Sequence, residues 1–171
     1  MRRSHLIPVA IIVLAACTAP DSATSPVMQE PGFAKGGGGS PHFIRNATDA
    51  TLVGSSLVVT FKEAGLAAGS IETVLVSAFA TATYFCQNNG GNVPSDPKKT
   101  VVSGTVTTSG QFTADQSGNI IGVLTLNPPA PPSSFSCPPG QQVVGPTNVS
   151  YSNVVVTDLT LGPSITISGT F

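Results

Sequence analysis

Apolar and polar residues alternate along most of the chain beyond residue 47. Leu57, Val59 and Phe61 interleave with Val58, Thr60 and Lys62. From Glu72, the residues Val74, Val76, Ala78, Ala80, Ala82, Tyr84 and Cys86 form one row, and Leu75, Ser77, Phe79, Thr81, Thr83 and Phe85 form the other. A repeat of two places successive side chains on opposite faces of a strand. This run is long enough for two strands or one bent strand. Val101 to Thr108 predicts a further strand, with Gly104 as the site of a bulge. Gln111–Asp115 and Ile120–Leu126 flank Gln116-Ser117-Gly118-Asn119, which predicts a hairpin. Val149 and Tyr151 share a phase that Val154 and Val156 break, so a bulge belongs near Asn153. The cleanest alternation is the last, Ile165, Ile167, Gly169 and Phe171 against Ser164, Thr166, Ser168 and Thr170. Beyond residue 17 nothing repeats with helical period; Lys62–Ala68 predicts at most one turn, stopped by Gly69.

Seven to nine short strands separated by Gly, Pro and Asn turns predict an all-β fold. The expected form is an antiparallel two-sheet sandwich, immunoglobulin-like, with a small β-barrel as the alternative. Composition agrees: residues 47–171 contain 16 Val and 17 Thr, types that suit a pleated, half-buried surface. A chain of 171 residues holds one such domain.

The N-terminus has a different character. Met1-Arg2-Arg3 is followed by an apolar stretch from Leu6 to Ala16, too short to span a bilayer, which takes about 20 residues, but suited to the core of a signal peptide. It ends Leu14-Ala15-Ala16-Cys17, which resembles the lipobox of bacterial lipoproteins. That resemblance implies removal of residues 1–16 and acylation of Cys17, palmitate included. The protein would then be lipid-anchored without spanning the membrane. Thr18 rather than Asp at the next position implies the outer membrane in a Gram-negative envelope, or else the outer face of the plasma membrane. Residues 17–46, rich in Pro, Gly and Ser, read as a tether with a root-mean-square reach of roughly 30 Å. Within it only His42-Phe43-Ile44-Arg45 is suited to dock on the domain.

Charge and chemistry narrow the function further. Seven Lys and Arg against eight Asp and Glu cannot form a basic stripe, so no nucleic-acid partner is expected. Without residues 1–16, five basic residues face eight acidic ones, a net −3. Setting Cys17 aside leaves Cys86 and Cys137, an even pair in an exported domain, expected as a disulfide that pins the Gln87–Lys99 and Asn127–Gly140 loops at one end. Beyond the leader the only histidine is His42, so neither a Ser-His-Asp triad nor a His-rich zinc site can be assembled. The carboxylates Asp49, Glu63, Glu72, Asp96, Asp115 and Asp158 read as isolated, solvated residues. No enzyme, cofactor or metal is therefore expected. Two loops carry binding chemistry. Asn88, Asn89, Asn92 and Asp96 could offer oxygens to sugar hydroxyls or Ca²⁺, although Asn and Gly also simply make turns. Asn127–Phe135 is a stiff, proline-rich segment suited to crossing between sheets. The expected role is an envelope lipoprotein presenting a binding module for a glycan, a peptide or an envelope protein; the alternative is a structural envelope component.

Overall fold

The computed structural model describes residues 39–171; the expected leader, Cys17 and most of the expected tether lie outside the described residues. Eight strands run β1 His42–Phe43, β2 Asp49–Val53, β3 Ser56–Ala64, β4 Ile71–Asn88, β5 Lys99–Thr113, β6 Asn119–Leu126, β7 Gln141–Asp158 and β8 Ser164–Thr170. They form two antiparallel sheets that do not close into a barrel. In the first, β3 lies between β6 on one side and β2 and β1 on the other. The second has the order β5-β4-β7-β8. This is an immunoglobulin-like arrangement with β5 added beside β4 at the edge.

The predicted rows become the core. Val74, Val76, Ala78, Ala80, Ala82, Tyr84 and Cys86 are all buried, on one 18-residue strand rather than two. They face Leu57, Val59 and Phe61 of β3 and Ile120 and Leu126 of β6. The Asn153 bulge is present: pairing slips between Ser77 and Phe79 on β4, and Asn153 has φ 53°. His42 and Phe43 pair with Ala64 and Glu63, and Phe43 is buried against Phe61. The docking stretch is therefore integral to the fold, which begins ahead of residue 47.

Three local expectations give way to tertiary packing. Gly104 makes no bulge, because β5 pairs with β4 in unbroken register from Lys99 to Thr113. Gln116–Asn119 is not a hairpin turn: it carries the chain from β5 in one sheet to β6 in the other. Asp115 holds that crossover by accepting hydrogen bonds at Oδ1 from the Ser117 and Asn119 N–H groups at 2.8 and 2.9 Å. Lys62–Ala64 continue β3, and the 3-10 turn among the described residues is Arg45–Ala47.

One close approach lies in the core between the sheets. Gly122 lies opposite Phe61, and a Cβ there would fall 2.3 Å from Phe61 Cζ and 2.8 Å from Phe112 Cε1. The missing side chain lets these rings meet edge to face across the sandwich, 5.1 Å between centroids. Gly122→Ala is expected to cost about 1–3 kcal/mol by overpacking, read as a lower urea midpoint. An unchanged midpoint would show that the rings can give way.

Candidate functional site

Strands β4, β5 and β7 outrun the facing sheet. Tyr151, which pairs with Ala80, marks where the cover ends: its hydroxyl donates toward the Leu126 and Ser55 carbonyls at 3.2 and 2.9 Å, at the end of β6 and in the β2–β3 turn. Beyond it Ala82, Tyr84 and Cys86 remain buried although outside the main apolar cluster. The proline-rich connection 127–140 takes over as their cover. Tyr84 Oη donates to the Pro129 carbonyl at 2.9 Å, and Cys137 is bonded to Cys86. Burial pushes the Tyr84 hydroxyl pKa up. The crossover expected of Asn127–Phe135 is present, tied by the disulfide.

The β4–β5 loop is fastened to the same segment. Lys98 Nζ donates to the Ser136 carbonyl at 2.7 Å and lies 5.5 Å from the Phe135 ring centroid. The Asn89 N–H donates to the Gly140 carbonyl at 3.1 Å. Both loops thus meet at one end of the domain. On the opposite, outward face, that end carries a pocket of about 230 Å³. Its lining is Thr83 and Phe85 from β4, Lys99 from β5, Thr147 and Asn148 from β7, and Val93 and Pro97 from the loop. Chemically it combines an aromatic and apolar floor with two hydroxyls, an amide and one ammonium.

Asn88, Asn89 and Asn92 share one tight turn, in which the Asn88 N–H donates to the Asn92 carbonyl and Gly91, at φ 85°, donates back to Asn88. The backbone needs of that turn account for the Asn and Gly content. Asp96 is exposed. Among the described residues no group of three or more His, Cys, Asp or Glu side chains is arranged to hold a metal ion. The pocket residues had no motif to announce them. Lys99 and Asn148 lie almost 50 positions apart, and only the β4 register brings them together.

The carboxylates require a correction. Glu63, Glu72 and Asp158, read as solvated, are 0%, 2% and 0% exposed. Both Glu63 oxygens, Glu72 Oε2 and Asp158 Oδ2 have no hydrogen-bond partner among the described residues. Burial, and next the adjacent Asp158, push the Glu63 pKa up to about 8. A proton on Glu63 would supply the donor that it and the adjacent Asp158 carboxylate otherwise lack between β3 and β7.

No protein family model, characterised protein or solved structure shows a significant match to the chain.

Proposed function

We propose that the chain is a lipid-anchored envelope lipoprotein whose β-sandwich is a non-enzymatic binding module for a glycan, peptide or envelope-protein ligand. The observation that carries this reading is the loop end, where two Pro/Gly-rich segments are tied by Cys86–Cys137 beside a pocket with mixed aromatic, hydroxyl and cationic lining. Binding sites of sandwich folds concentrate in loops held by a rigid scaffold. The anchoring half rests on the lipobox at Leu14–Cys17 and the tether that follows it. A structural role in the envelope, through sheet edges rather than loops, is the second reading, favoured by the length of β5.

Two measurements test it. Metabolic labelling with an alkyne fatty acid should mark the wild-type chain and not Cys17→Ser; absence of label would remove the anchor. A thermal-shift screen of the oxidised chain against Ca²⁺, EDTA, oligosaccharides, cell-wall fragments and short peptides addresses the module. A ligand at about 100-fold above its dissociation constant contributes roughly 2.7 kcal/mol. Phe85→Ala together with Lys99→Ala should abolish the shift while leaving a cooperative melt; a shift insensitive to both would place binding elsewhere. Substituting Asn88, Asn89 and Asp96 distinguishes recognition by the turn itself from recognition by the pocket.

A further inference from the structure

We propose that β5 is a self-association edge, along which two copies of this chain pair antiparallel, β5 against β5, into one continuous eight-stranded sheet. The strand ends the second sheet and pairs on one side only, with β4. Among the described residues, no backbone hydrogen bond reaches Lys99–Thr113 from any element other than β4. Alternate residues of such a strand direct N–H and C=O groups outward, leaving about seven of each along the free side.

Exposed edges are ordinarily protected by charge, proline, bulges or brevity. Here β8 is seven residues long and its pairing slips between Ser152 and Val154, β2 is five residues long and begins with Asp49, and β6, the other edge of the first sheet, is eight residues long. By contrast, β5 is 15 residues long, in unbroken register, without proline, and with Lys99 at its end as its sole charge. Nothing on the strand turns a partner away.

The same features select a second copy as the occupant. An antiparallel two-fold pairing centred near Val106 sets Lys99 against Thr113, so no like charges oppose one another. Thr105 then faces Thr107 on the outward surface, a favourable cross-strand combination. On the inward surface Val106 and Phe112, only partly buried at this edge, gain cover. Fifteen residues at about 3.4 Å each make a seam about 50 Å long. With a sheet roughly 10 Å thick, such a seam buries on the order of 1,000 Å² in total, at the lower limit for a specific interface.

Sedimentation analysis of the full chain carrying Cys17→Ser, so that no acyl chain contributes, tests this. A concentration-dependent dimer is expected. Thr105→Lys with Thr107→Lys brings four ammonium groups together across the two-fold without touching the core, and should shift the dimer dissociation constant upward at least tenfold at low salt. The circular dichroism spectrum and melting temperature of that variant at monomeric concentration report whether it is folded. A wild-type chain that stays monomeric at several hundred micromolar, or a dimer that the folded lysine variant leaves intact, would overturn the proposal. Either result would leave the loop-end reading standing, because the pocket and the β5 free side are probed by different substitutions.

Discussion

Replacing Cys86 and Cys137 together by alanine is expected to lower the unfolding free energy by about 4 kcal/mol. The bond joins residues 51 positions apart, and closing a loop of that length removes about this much chain entropy from the unfolded state. The loss should be uneven along the domain. Val74, Val76, Ala78 and Ala80 pack against the facing sheet, whereas Ala82, Tyr84 and residue 86 are covered by segment 127–140, which the bond secures. Hydrogen exchange in the double variant should therefore accelerate first in 81–88 and 127–149, while 74–80 keep their protection. Any ligand held at the loop end should weaken in parallel. Guanidinium unfolding of the oxidised protein and the double variant decides the first point: coincident midpoints would mean that the loop packing holds without its covalent tie.

Stability is expected to fall as pH rises from about 5 to 8.5, contrary to the usual behaviour of proteins with paired carboxylates. Glu63 titrates near its ordinary value of 4.5 when unfolded and at about 8 when folded. Between those values the folded protein holds a proton that the unfolded chain has released, so raising pH favours unfolding. The contribution is fully present below 4.5 and is lost as pH passes through 8. Its causes are burial first, then the Asp158 carboxylate, then Glu72. Such a shift corresponds to several kcal/mol, or on the order of 10 °C in melting temperature for a domain of this size. Asp115 acts in the opposite sense at low pH. The Asn119 N–H and other nearby donors hold its carboxyl below 3.8, so its contribution is lost as pH falls further. Glu63→Gln keeps a neutral group that can donate to Asp158, and should give a melting temperature nearly flat from pH 5 to 8.5, above wild type at the upper end. A wild-type profile that is flat or rises over that interval would show that the proton is not held in the folded state.

The same buried acids mark a boundary between what periodicity contains and how residue type is usually read. Glu63 follows Leu57, Val59 and Phe61 in phase, Glu72 precedes Val74 and Val76, and Asp158 follows Val154 and Val156. All three occupy inward positions of their strands, so the alternation itself pointed into the core. By residue type alone they are surface residues, because carboxylates generally stay hydrated unless paired. What outweighs that rule is proximity across the two sheets, which is absent from any single strand. The Gln116–Asn119 turn has a related cause: turn chemistry specifies a reversal of the chain, and Asp115 and Gly118 supply it. Whether the two flanking strands then pair or part into different sheets depends on which partner buries more of each.

The sequence by itself determined the all-β class, the inward row of β4, the bulge at Asn153 and the pairing of Cys86 with Cys137. Each follows from a repeat of two, a break in phase or a parity of cysteines, all local or countable quantities. Only the tertiary structure decided that β4, β5 and β7 outrun the facing sheet, that a proline-rich connection covers the excess, and that Lys99 meets Asn148 at a pocket. The length of a strand is written in its own residues, but its cover and neighbours depend on contacts among segments far apart in the chain, where the free energies of burial and pairing are summed over the whole domain.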